Sequence, residues 1–270
     1  MRPRLRYRAL WQALSSQLSP PFFEEVAPTQ RAVRYRAAHH RGIQPLADIY
    51  VPQRPSGASV VLVHGGGFVL GWRDMLAMRF LSSSLVRAGI ATCSIDYRMI
   101  MRGGRLEESI DDVRDALSYW RSRVETLSLD SSRVSVMGLS AGGALALLSA
   151  AREPWIDRVI SGFGLYEMDH LEGPLASVIP RLLFRTADRD AWRSRSPRGD
   201  RQPVQSTLLL HGTEDGLVPV EQAHRLAAHR ESLGLPTRLE IFEGAPHAFF
   251  NMSGPHAERG AQLVIEHLSR

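Results

Sequence analysis

The sequence predicts an α/β domain built on a mostly parallel, eight-stranded sheet with helices on both faces. Three observations carry that expectation. Short apolar runs alternate with segments of helical period along most of the 270 residues, the rhythm of repeated β-α units. From "SVVLVHG" onward the runs are rich in Val, Ile and Leu without clean alternation, as strands covered on both faces are. No linker, internal repeat or low-complexity tract divides the chain, so residues 1–270 are expected to form one domain. That length is enough to bury roughly three quarters of the unfolded surface.

The candidate strands follow one another as "VRYRAA", "PLADIYV", "SVVLVHG", "IATCSIDY", "RVSVMGL", "RVISGFG", "STLLLHG" and "RLEIFE". The clearest helix between them is "RLEESIDDVRDALSYWRSRV". Its Leu106, Ile110, Val113, Leu117, Trp120 and Val124 step by four or three and draw one apolar stripe. "PHAERGAQLVIEHLSR" closes the chain as a last helix.

Two stretches fit this rhythm badly and are expected to form a small lid over the sheet's C-terminal edge, where open α/β sheets bind ligands. One is residues 1–30, an Arg-rich helical piece followed by "SPPFFEEVAPTQ". The other is about 165–203, where Pro174, Pro180 and Pro197 interrupt pieces such as "LASVIPRLLF". For the first, simple docking on the core through Leu10, Trp11, Leu14 and Leu18 is an equal alternative.

Composition narrows the function. Hydrophobic residues at 44% and charged residues at 23% describe an ordinary soluble globule. The net charge is +5, yet every basic residue is Arg and Lys is absent, a bias that fits a GC-rich genome better than selection for a polyanion. The arginines are scattered and few aromatics lie between them, so no nucleic-acid partner is expected. Cys93 stands alone inside an apolar run, where it serves as a small buried filler, and no intrachain disulfide can form. The basic start lacks the apolar core and cleavage site of a signal peptide, and no stretch approaches the ~20 apolar residues that span a bilayer. A cytoplasmic protein without stable membrane insertion is expected, and a homodimer is left open.

The informative stretch is "VSVMGLSAGGALALLSA". Gly138-x-Ser140-x-Gly142 ends an apolar strand and opens a helix, the context that lifts this pentapeptide above chance. Flanking glycines relieve Cβ clashes in a strained turn while the serine oxygen is held out above the sheet. A serine hydroxyl is a weak nucleophile near neutral pH, so it needs a base, and the base needs an orienting acid. Both should follow later strands, acid first. Asp215 lies in the loop after "STLLLHG", and His247 just past the last strand. Glu214 is the rival acid, expected to face solvent; His256 and His267 are expected on the surface, and His211 to be structural. His64-Gly65-Gly66-Gly67 supplies the fourth part: its glycines let backbone N–H groups approach a developing oxyanion, with the N–H of Ala141 as the other donor. His64 is expected to brace that loop.

In "DIYVP", "HGGGFVLG", "DYR", "GLSAGG", "SP", "HGTEDGLVP" and "GAPHAFF", from about Asp48 to Phe250, the chain resembles the α/β-hydrolase superfamily. Within it, the resemblance is to the HGGG-bearing esterases of the hormone-sensitive-lipase-like branch. It implies the α/β-hydrolase fold, a Ser140–His247–Asp215 triad and an oxyanion hole at Gly66, Gly67 and Ala141. It also implies a carboxylesterase working through an acyl-enzyme, with small-molecule ester as its partner and no cofactor or metal; a shallow pocket under a small lid is expected to favour short-acyl esters. A lining of Phe68, Val69, Leu165 and Phe249 is expected. The chain departs from that branch at Leu139, where the branch has Asp, and in "DYRMIMRGGRLEES". The acid loop is closer to feruloyl-esterase-like, formamidase-like and oligopeptidase-like relatives, so an aryl-formamidase or small peptidase is the alternative. A non-catalytic binding protein is the third reading.

Overall fold

The structure, a computed structural model, describes residues 11–12, 15–16, 19–36, 44–171 and 178–270. Its strands are β1 (Gln30–Arg34), β2 (Leu46–Tyr50), β3 (Ser59–Val63), β4 (Ala91–Ile95), β5 (Val134–Leu139), β6 (Arg158–Gly162), β7 (Ser206–Glu214) and β8 (Thr237–Pro246). They form one sheet in the order β1-β2-β4-β3-β5-β6-β7-β8. β2 runs antiparallel to β1 and β4, and every other pairing is parallel. This is the α/β-hydrolase fold.

The apolar runs produce this order because a strand in mid-sheet must bury both faces. All of β3 is buried; Val61 and Val63 join one core layer, Val60 and Leu62 the other. The first layer is completed by α2 (Leu106–Val124), α3 (Ala141–Ala150) and α6 (Glu221–Ser232). The second is completed by α1 (Leu76–Arg87) and α7 (Pro255–Leu268). The six stripe residues of α2 are all buried, and the Trp120 indole N–H donates to Ser59 Oγ at 3.0 Å, fixing the helix on β3. Every residue of α3 is buried, so this helix is apolar all round and lies inside the protein.

The sheet's margins depart from expectation. β1 begins at Gln30 rather than Val33, because its register shifts between Gln30 and Val33 and Ala32 takes φ 52°. Such an irregularity hides the period-2 pattern; Ala37 and Ala38 of the expected run lie outside the described residues. Among the described residues β8 pairs only with β7, and most of it is partly or fully exposed, with Ile241 at 36%. An edge strand need not be covered on both faces, so the expectation of full cover fails there.

Of the predicted N-terminal stripe, Leu10, Leu14 and Leu18 lie outside the described residues and Trp11 is 73% exposed. Docking is made further on instead. Phe22 and Phe23 pack on Phe80 of α1 at 5.2 and 5.3 Å, and Glu25 pairs with Arg79 at 2.6 Å. In the second irregular stretch, α4 (Val178–Phe184) and α5 (Arg189–Arg195) follow a 3₁₀ turn at Met168–His170, and residues 172–177 lie outside the description. Ion pairs fasten this stretch to α2: Arg195 to Glu107 at 3.0 Å and Arg185 to Glu108 at 2.8 Å. Among the described residues no helix is long and apolar enough to cross a membrane.

Arg230 of α6 is wholly buried, and no carboxylate partners it among the described residues. Its guanidinium donates to the carbonyls of Pro203 and Gln205 (2.8 and 3.2 Å) and to the hydroxyls of Thr237 and Thr207 (2.9 and 2.8 Å). Burial lowers its pKa to about 10, which leaves it charged at neutral pH. It ties the connections entering β7 and β8 to α6. Each orphaned buried acceptor costs about 1–3 kcal/mol. Arg230→Met, similar in bulk, is therefore expected to lower unfolding free energy by at least about 3 kcal/mol in urea titrations. An unchanged midpoint would show that the bonds contribute nothing net.

Candidate active site

Ser140 occupies the turn between β5 and α3 with φ 54° and ψ −118°, a conformation that L residues seldom adopt. Its N–H donates to the Gly162 carbonyl at 2.8 Å, and its own carbonyl accepts from Gly143 N–H at 2.9 Å. The turn is tight enough that a Cβ on Gly138 would lie 1.9 Å from the Gly142 carbonyl oxygen. Ser140 keeps 9% of its surface exposed. It thus caps a buried helix whose first N–H groups and positive dipole end face the same place.

Asp215 follows β7. Its Oδ1 accepts from the backbone N–H groups of Leu217 and Val218 at 2.9 and 2.8 Å, an Asx-type turn that fixes the carboxylate plane. Its Oδ2 lies 2.7 Å from His247 Nδ1, and His247 Nε2 lies 3.0 Å from Ser140 Oγ. The three residues predicted from separate strand ends are thus brought into one hydrogen-bonded line. Burial would push the Asp215 carboxyl up, but His247 and His211 beside it outweigh burial and hold it well below the usual carboxylate range. Glu214 is exposed, as expected of the rival acid.

The glycine loop after β3 completes the site. Gly66 and Gly67 adopt φ 118° and 63°, and a Cβ on Gly66 would stand 1.6 Å from the Leu70 carbonyl oxygen, so only glycine fits. Among the described residues, the N–H groups of Gly66, Gly67 and Ala141 donate to no protein acceptor. His64 is buried beneath them; its Nδ1–H donates to Gly65 O at 2.7 Å, and its ring stacks on Tyr97 at 4.4 Å. Tyr97 in turn donates to the His64 carbonyl at 3.1 Å. Arg73, at the loop's far end, pairs with buried Asp48 (2.9 Å) and Asp96 (2.6 Å). The "DIYVP" and "DYR" motifs are therefore the loop's anchor, with Arg98 held separately by Asp112 at 2.7 Å.

Three contacts were not foreseen. Phe163, at φ 39°, sets its ring edge-on to His247 with centroids 4.9 Å apart. Arg73 links the loop to the sheet, and His211 stands 3.1 Å from Asp215 Oδ2. No motif marked Phe163 or Arg73; His211 precedes the acid loop at the end of the strand run, where the four-residue gap gave no sign of contact. Of the expected lining, Phe68 and Phe249 are core residues, Leu165 is buried and Val69 half-buried. Phe249 packs against Phe163 and Phe242. His267 corrects another expectation: it is 3% exposed, with Nε2–H donating to Ser206 O at 3.3 Å, because its face of α7 turns onto the sheet.

The BD-FAE family matches residues 47–172. Among curated proteins, the chain is 29% identical to esterase LipC of Mycobacterium tuberculosis, over 93% of this chain and 70% of that one. It is 26% identical to ethyl acetate hydrolase of Pseudomonas putida over 80% and 74%. It is also 26% identical to a probable isoprenylcysteine alpha-carbonyl methylesterase of Oryza sativa over 82% of this chain, spanning 59% of that protein. Among solved structures, a truncated carbohydrate esterase from gut microbiota aligns with TM-score 0.76 at 20% identity, covering 93% of this chain and 99% of that chain. A butyrate-bound esterase from Thermogutta terrifontis aligns with TM-score 0.72 at 22% identity, covering 89% and 94%. The chain is an α/β-hydrolase. It is similar to esterases of that superfamily and is a carboxylesterase.

Burial pushes both His64 and His267 down to about 4. His64 Nε2 is buried without a partner among the described residues, so a second ring proton there would have no acceptor. An unfolded histidine titrates near ~6.5, so between that value and 4 the unfolded chain binds more protons and stability falls as pH falls. Each should cost roughly 2–4 kcal/mol across that window. Urea unfolding from pH 7 to 4 should show the loss, and His267→Gln should lose less by one histidine's share. A variant whose loss matches the wild type would remove His267 from this account.

Proposed function

We propose that the chain hydrolyses short-acyl carboxylic esters with Ser140 as nucleophile, His247 as general base and Asp215 as the acid that orients it. The carrying observation is the unbroken line from Asp215 Oδ2 to His247 at 2.7 Å and from His247 to Ser140 Oγ at 3.0 Å. His247 takes the hydroxyl proton as Ser140 Oγ bonds to the ester carbonyl carbon. The N–H groups of Gly66, Gly67 and Ala141 receive the tetrahedral oxyanion, each donor contributing about 3–4 kcal/mol to the transition state. The tetrahedral intermediate collapses, His247 returns the proton to the departing alkoxide, and an acyl-Ser140 remains. Water, deprotonated by the same imidazole, then releases the acid and regenerates the hydroxyl.

Two observations support a short acyl chain. Phe163, backed by Phe249 and Phe250, packs aromatic rings against one side of His247. Among the relatives stand a protein named for ethyl acetate and a structural neighbour binding butyrate. With p-nitrophenyl esters from acetate to palmitate, kcat/KM is expected to peak between acetate and butyrate. A maximum at the long end would refute the short-acyl reading, and faster turnover of matched aryl-formamides would favour an amide hydrolase.

Ser140→Ala is expected to lower kcat by about 10⁶-fold while the fold persists, since removal of such a nucleophile leaves only residual catalysis. Asp215→Asn should cost about 10⁴-fold through the wrong imidazole tautomer, whereas Glu214→Gln should be mild. Ester-hydrolysis kinetics on the three purified variants check this. The opposite ranking of the two acid variants would move the acid by one residue.

A further inference from the structure

His211, on β7, is completely buried four residues before the acid. Its Nε2 faces two oxygens of the acid loop: the Val218 carbonyl at 3.0 Å and Asp215 Oδ2 at 3.1 Å. Its Nδ1 is buried and has no partner among the described residues. These facts settle where the ring proton belongs. A bare Nε2 lone pair aimed at a carbonyl and a carboxylate would repel both, and an N–H on Nδ1 would be orphaned in the interior. The neutral Nε2–H form satisfies both oxygens and leaves only an acceptor lone pair unused, the less costly defect.

The same two oxygens define the acid's geometry. Oδ2 also takes His247 Nδ1 at 2.7 Å, while Oδ1 is held by the N–H groups of Leu217 and Val218. Val218 is thus gripped from both sides: its N–H by the carboxylate and its C=O by His211. Without His211, Oδ2 would keep His247 as its one side-chain partner among the described residues. The Val218 carbonyl would also face the interior without its donor. The ring of Tyr166 lies beside that of His211, with centroids 6.3 Å apart.

We infer that His211, in its neutral Nε2–H form, is a positioning residue that clamps the acid loop and directs Asp215 Oδ2 at His247. The inference rests on the proposed roles of Asp215 and His247. It adds a second imidazole on the far side of the carboxylate, a partner of the kind that orients a reacting group without touching substrate.

The tautomer is tested on the resting wild-type protein by ¹⁵N NMR with labelled histidine, the His211 signal being assigned by its loss in His211→Gln. A protonated Nε2 and a bare Nδ1 are expected across neutral pH; a proton on Nδ1 overturns the inference. Kinetics supply the second arm. Losses on the order of 10–100-fold are typical when such an orienting partner is removed. His211→Leu is expected to lose that much in kcat with little change in KM, and His211→Gln, whose amide can donate to the same oxygens, to recover most of it. A merely structural histidine would lower the yield or melting temperature of both variants yet leave kcat per folded molecule unchanged, and that result overturns the inference too. If His211→Leu does not fold, the wild-type spectrum and the kcat of His211→Gln still decide. Failure of the triad reading itself would appear separately, as retained activity in Ser140→Ala, because the NMR arm does not depend on turnover.

Discussion

The structure turns on one backbone constraint: Ser140 at a positive φ between a strand and a helix that lie almost in contact. That turn can exist only if nothing projects from Gly138 toward Gly142, and only if α3 fits wholly inside the sheet's cover. The chain satisfies both demands by placing β5 in mid-sheet, bonded to β3 on one side and β6 on the other. The Ser140 N–H reaches the end of β6, and the glycine loop leaves from the end of β3. The neighbouring strands therefore deliver the other site elements to the same sheet end, as this topology does generally.

Around that turn, precision comes from buried polar pairs rather than from apolar packing alone. His64, Tyr97, Arg73, Asp48 and Asp96 make a continuous brace under the glycine loop. Desolvating charges is expensive, and pairs in such places specify geometry more reliably than they add stability. The brace has a clear geometric role: it fixes N–H groups whose directions matter to a fraction of an ångström.

Much of this was legible in the chain. The central strands announced themselves because burial on both faces forces unbroken Val, Ile and Leu, and Ser140 announced itself because its turn excludes side chains at Gly138. Asp215 and His247 could be placed because strand ends converge in this topology. What stayed hidden was whatever depends on packing between distant segments. The bulge at Ala32 erased the alternation that would have marked β1. His267 looked polar at the end of a polar-faced helix, and only docking on the second core layer shows that face to be inward. Phe163 and Arg73 carry no local signature, since each acts through a partner about twenty or more residues away. His211 was visible as a letter in "HGTED", but its contact with Asp215 arises only when the loop folds back on the strand.

The arginine-only composition acquires a meaning once the ion pairs are placed. Arg185 and Arg195 hold the segment after β6 to α2, and Arg193 ties Asp169 to α5 at 2.8 Å. A guanidinium grips a carboxylate through a rigid fork of N–H donors that an ammonium group lacks. The chain also offers no side-chain amine on which an activated ester could spend its acyl group.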